Sequence, residues 1–110
     1  MDRVRKARER GDILQMLKED YTTPMTGVNV LRRALDSLNT CLSPDDLDFH
    51  LVYLFDQEYV RIWRRKDLPG FRRDRAQDAD ADQILFVRLT ARGLQLVDGE
   101  IKEDQKVAFS

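Results

Sequence analysis

The chain has one cysteine and one histidine in 110 residues, and no long apolar run. The lone thiol, Cys41, cannot close an internal disulfide, so packing must hold the fold, and an intracellular, cytoplasmic setting is expected. Cys41 itself is expected to be a small apolar filler between two helices rather than a nucleophile. No zinc spacing of Cys and His exists, and no glycine-rich phosphate loop is present. No stretch approaches the roughly 18 apolar residues that span a membrane. The basic start, MDRVRKARERGD, is not followed by an apolar segment that would serve as a signal peptide. His50 has no Cys or Ser placed to form a nucleophilic pair with it, so a partly buried, hydrogen-bonded structural role is expected. Asp78, Asp80 and Asp82 resemble the opening of a calcium loop, but Gln83 stands where that loop needs Gly and Leu89 where it needs Glu. No enzymatic activity, metal or cofactor is expected.

Charge is plentiful, with 35% charged residues and a formal net charge of −1, but it is unevenly spread. Arg3, Arg5, Lys6, Arg8 and Arg10 crowd the N-terminus, and Arg61, Arg64, Arg65, Lys66, Arg72, Arg73 and Arg75 crowd the middle. Acid concentrates in residues 45–58, in 78–82 and near the C-terminus. Patches of this kind decide partners more than the total charge does. With 42% hydrophobic residues, the chain has enough apolar content for one modest core.

Periodicity predicts the elements. Ile13, Leu14, Leu17 and Tyr21 lie at helical spacing. This first helix starts either at Asp12, with Gln15 completing a capping box, or near Asp2, running through Gly11 with a frayed basic first half. TTPMTG then breaks the chain. Val28, Leu31, Leu35 and Leu38 form the stripe of a second helix, which Asn39 can close in a left-handed conformation. SPDDLDFHLVYLFD opens with Ser43 as N-cap, Pro44 at the first helical position and Asp46 at the third. Leu47, Leu51, Leu54 and Phe55 are expected to face inward. YVRIWR and ILFVRLT read as two strands around a long polar loop, residues 65–83, and TARGLQLVDGE reads as a short helix capped by Thr90. Residues 1–99 are expected to form a single domain, with 1–11 a basic arm or helix extension and 100–110 a loosely held polar tail. The expected class is α+β, mainly helical: a three-helix unit, a β-hairpin and a short C-terminal helix.

Two stretches carry a family resemblance. HLVYLFDQEYVRI, residues 50–62, resembles the "hLxyLxxxGyV" junction of winged helix-turn-helix regulators of the ArsR, MarR and PadR kinds. LTARGLQLVDG, residues 89–99, resembles the "LTxxGxxLxxG" segment that follows the second wing strand in the same proteins. Residues 10–99 as a whole are similar to small winged-helix proteins of Mu-like prophages. The chain departs from the pattern at the helix–strand junction, where Gln57-Glu58 replaces the usual Gly, so a non-glycine residue must take that turn. The resemblance implies a DNA-binding transcription regulator, phage-derived and homodimeric. Its third helix, through Asp45, Asp48, Phe49, Val52 and Asp56, would enter the major groove, and its wing would touch the backbone.

The charge of that helix opposes the implied role. With the leucines inward, Asp45, Phe49, Val52 and Asp56 face out, flanked by Asp46 and Tyr53. Major-groove readers present Arg, Lys, Asn or Gln to base edges, whereas carboxylates are repelled by phosphates. Contact with double-stranded DNA is therefore expected mainly through the wing cations Arg64, Arg65, Lys66, Arg72, Arg73 and Arg75, with Arg5 and Arg8 of the arm. The acidic run at 78–82 lies in the same loop and could instead pair with these arginines. The alternative expectation is a protein-interaction module that uses Asp45, Phe49, Val52, Tyr53 and Asp56, unless the arm, the tail or a second subunit covers them.

Overall fold

The computed structural model of the chain describes residues 2–109, the side chain of Gln77 excepted. Helix α1 spans Asp2–Glu19 and passes unbroken through Gly11. Glycine costs a helix interior about 1 kcal/mol relative to Ala. Here it is required by a close approach: a Cβ at Gly11 would lie 1.8 Å from the carbonyl oxygen of Ala108. Asp12 does not cap a shorter helix. Its buried Oδ2 accepts a hydrogen bond from Thr40 Oγ1 at 2.6 Å and so ties α1 to the turn after α2.

A two-residue strand, β1 (Thr26–Gly27), follows α1 inside the stretch expected to be a plain break. Helix α2 spans Val28–Asp36 and buries Leu31 and Leu35. Asn39 takes φ 60, and the N–H groups of Asn39 and Thr40 donate to the carbonyls of Asp36 and Leu35. Leu38 lies beyond the helix and is 45% exposed, so it leaves the stripe assigned to it. Cys41 likewise is exposed in the α2–α3 turn rather than packed between helices.

Helix α3 spans Pro44–Asp56, and its Ser43 hydroxyl accepts from the Asp46 N–H. Leu47, Leu51 and Leu54 are fully buried, whereas Phe55 is 46% exposed and does not face inward. Glu58 takes the left-handed turn at φ 66 that the missing glycine leaves to it. The chain then enters β2 (Val60–Arg64), which pairs antiparallel with β3 (Ile84–Leu89), Val60 opposite Leu89 and Ile62 opposite Val87. β1 pairs on the other side of β3, giving the order β1-β3-β2.

Helix α4 (Ala91–Val97) locks the α3–β2 junction. The Thr90 hydroxyl donates to the Glu58 carbonyl and accepts from the Gly93 N–H. The Thr90 N–H donates to the Tyr59 carbonyl. Gly93 must be glycine, because a Cβ there would meet the Tyr59 oxygen at 2.1 Å. The described residues thus form an α+β fold of four helices and a small three-stranded antiparallel sheet. Its core gathers leucines and isoleucines from α1, α2 and α3 against Val60, Ile62, Val87 and Leu89 of the sheet. Each fully buried side chain of this size stabilises the fold by about 1.5–3 kcal/mol.

The C-terminal segment, expected to be loosely held, is bound to this core. Val107 is buried, and the Ala108 N–H donates to the Ala7 carbonyl at 2.9 Å. Asp104 accepts from the Tyr53 and Tyr59 hydroxyls at 3.1 and 2.9 Å. Arg10 Nη1 donates to the Lys106 carbonyl. Among the described residues no helix is long and apolar enough to cross a membrane.

Candidate functional site

The loop between β2 and β3 folds back on itself because its acidic half answers its basic half. After a short 3-10 turn, Arg65–Asp67, the chain turns at Gly70 (φ 81) and makes a second 3-10 turn at Ala76–Asp78. The Arg65 N–H donates to the Gln83 carbonyl and the Lys66 N–H to the Ala81 carbonyl, which extends the strand pairing into the loop. Lys66 Nζ lies 2.8 Å from Asp82 Oδ1, and Arg64 Nη1 donates to the Asp82 carbonyl at 2.6 Å. The hydrogen bond from Lys66 is the main reason that the Asp82 carboxyl is held below its ordinary range.

Arg65 is used structurally. Its Nη2 donates to Gln83 Oε1 at 2.9 Å, its Nη1 is 4.0 Å from Asp78 Oδ1, and its Nε is buried without a hydrogen-bond partner. Buried Asp78 also accepts from the Arg72 N–H at 3.0 Å. Arg64, Arg65 and Lys66, assigned from sequence to the contact surface, are therefore largely committed to the loop's own architecture. Asp78 and Asp82 serve the same purpose, and among the described residues no three His, Cys, Asp or Glu side chains converge as metal ligands. Arg72, Arg73 and Arg75 are left at the loop tip, exposed, and among the described residues their side chains make no hydrogen bond or ion pair.

The outer face of α3 lies between two basic flanks. On one side the Lys6 ammonium and the Arg10 guanidinium sit 5.3 and 5.7 Å from the Phe49 ring centroid, which places the basic half of α1 against this helix. On the other side Arg64 is near enough to Asp48 to oppose the rise of its pKa, a rise caused mainly by burial and then by Asp45. Phe49 is 54% exposed and Val52 36%, with Phe55 beside them. Among the described residues, Asp45, Asp48 and Asp56 form no ion pair. Tyr53 departs from the expected open face: it is half-buried, lies 4.2 Å beneath the Arg10 guanidinium and donates to Asp104 of the C-terminal segment. Burial first, and the Asp104 carboxylate second, push its hydroxyl up to about 12.

His50 stands behind this face, 2% exposed. Arg10 Nε donates to its Nδ1 at 3.1 Å, and Nε2 lies 2.9 Å from Glu9 Oε1. With Nδ1 accepting, the ring is neutral and Nε2–H donates to Glu9. The histidine is thus a structural link between α1 and α3, in keeping with the role read from sequence. Of the two arm residues assigned to the interface, Arg5 sits 3.8 Å from Glu9 and Arg8 is exposed. Both border an open cleft shared with Asn39, Thr40 and Cys41. The Cys41 thiol is pushed up by a hydrogen bond with Asp36, which disfavours the reactive thiolate.

The structure therefore separates residues that sequence had grouped. The loop tip and the arm share no hydrogen bond or ion pair among the described residues, and the acidic α3 face lies between the arm and the loop base. Sequence reasoning missed Arg10, Glu9 and Asp104 as organisers, since their partners lie 40 or more residues away. Compared with known proteins, the chain matches no family model, no curated protein and no solved structure.

Proposed function

We propose that the protein is a DNA-binding transcription regulator of winged-helix type that grips duplex DNA chiefly through its β2–β3 wing. The order of helices and strands, with β1 pairing on the far side of β3, supports the winged-helix reading. The observation that carries the function is the state of the wing cations. The acidic run satisfies Lys66 and Arg65, while Arg72, Arg73 and Arg75 stay exposed beyond the Pro69-Gly70 turn. Guanidinium groups held out on a hairpin suit phosphate oxygens or a narrow minor groove. The α3 face, with Asp45, Asp48 and Asp56 outward, does not suit the major groove. Binding is accordingly dominated by phosphate contacts and depends weakly on sequence.

Fluorescence anisotropy with random-sequence duplex DNA at low salt tests this reading. Binding is expected, weakening as salt rises. The triple variant Arg72→Gln, Arg73→Gln, Arg75→Gln should flatten the log–log salt slope by up to about 0.9 for each phosphate that it no longer neutralises. Absence of binding at low salt, or a triple variant indistinguishable from wild type, rules the wing reading out.

A further inference from the structure

The outer face of α3 has the composition of an interface core, and its own chain reaches over it only with Lys6 and Arg10 at Phe49, which stays 54% exposed. Phe49, Val52 and Phe55 are all exposed on one helix, and Asp45, Asp48 and Asp56 frame them without ion-pair partners among the described residues. Exposed aromatic surface rimmed by one sign of charge marks a protein contact of opposite charge. The chain carries such a contact itself. The first turns of α1 present Arg3, Arg5, Lys6 and Arg8 against two acids, Asp2 and the Glu9 that sits 3.8 Å from Arg5, and Val4 is 72% exposed. At 100° per residue Val4 and Arg8 lie about 40° apart, with Arg5 next to them, on the side away from Lys6. Lys6 points to Phe49 of its own chain. The arm thus offers an apolar side chain among cations, and α3 offers apolar side chains among carboxylates.

Helices α1 and α3 lie side by side within one protomer, since Lys6 and Arg10 both reach Phe49, and the Val4–Arg8 side of α1 is turned away from its own α3. A contact in which each arm lies on the other copy's helix is reciprocal and closes around a two-fold axis. We infer that the Phe49–Val52–Phe55 face of α3 is covered by the basic α1 arm of a second copy, in a reciprocal homodimer. Pairing the helices face to face would set like charges together, which disfavours that arrangement. The arm-on-helix dimer removes the α3 carboxylates from the surroundings of any bound phosphate and leaves the Arg72–Arg75 tip free.

Sedimentation velocity with light scattering provides the test, and its readout is mass, independent of DNA binding. Wild type is expected to be a dimer at low salt and to dissociate at high salt. An arm variant, Arg5→Glu with Arg8→Glu, and a helix variant, Asp45→Arg with Asp56→Arg, should each be monomeric. All four residues are exposed, and unchanged far-UV circular dichroism confirms that each variant is folded. Mixed in equal amounts, the two variants should restore a species of twice the monomer mass, because both reciprocal contacts regain opposite charge. A wild-type monomer at low salt overturns the proposal. So does a dimer that survives either reversal, or a mixture that stays monomeric.

Discussion

His50 shows how one side chain couples the packing of this fold to pH. Its ring accepts from Arg10 and faces Glu9 on α1, with Asp46 nearby on its own helix. Burial is the largest influence and, with Arg10, outweighs the two carboxylates, so the folded protein holds the imidazole pKa below its ordinary value. The unfolded chain therefore takes up the proton first as pH falls. The stability that the neutral ring contributes is complete above about pH 6.5 and is lost as pH drops below that value. Protonation would also turn Nδ1 into a donor facing the Arg10 Nε–H, breaking the link from α1 to α3. Urea denaturation midpoints measured between about pH 7.5 and 5 should fall more steeply for wild type than for His50→Gln. Equal slopes for the two proteins would show that the ring does not control this range. Glu58 holds the α3–β2 turn in a left-handed conformation. Its left-handed backbone costs about 1 kcal/mol or more in a side-chain-bearing residue, and the Thr90 hydroxyl on its carbonyl helps to hold it there.

Helix α1 and the C-terminal segment depend on each other at Gly11. Helix propensity alone says that Gly11→Ala stabilises α1 by about 1 kcal/mol. The new methyl would instead occupy the space of the Ala108 carbonyl, which is backbone and cannot rotate away. The expected outcome is a helix that persists and a displaced tail. Amide hydrogen exchange should accelerate at Val107 and Ala108, whose N–H groups are bonded in the wild type, while exchange in the middle of α1 slows or stays the same. Unchanged protection at Ala108 would mean that the crossing is not as tight as the geometry implies. This pairing also marks where sequence stopped being informative. The caps at Ser43 and Thr90, the leucine stripe of α3 and the two long strands were legible because each rests on spacings of three or four residues, or of two. β1 has only two residues and so no period to detect. The tail is polar and held by hydrogen bonds to residues about 100 positions away. Periodicity shows which residues are apolar but not what covers them, which is why spacing alone sets Leu38 and Phe55 inside whereas both are exposed.

At the scale of the whole molecule, charge rather than shape separates what the chain does from how it folds. The two basic clusters were plain in the sequence. Which of their members stay exposed was not, because that depends on how the residue 65–83 loop folds across its own acidic run. Lys66 is the informative case, since one carboxylate, Asp82, accounts for its engagement. Asp82→Asn keeps the backbone carbonyl that receives Arg64 but removes the charge that fixes Lys66 and opposes phosphate. If the loop meets DNA, this variant should bind random duplex more tightly than wild type. Its log–log salt slope should be steeper by about 0.9, the increment for one more neutralised phosphate. Affinity that rises without a change of slope would assign the effect to general repulsion by Asp82. No change in either would place Lys66 outside the contact surface and confine binding to the Arg72–Arg75 tip.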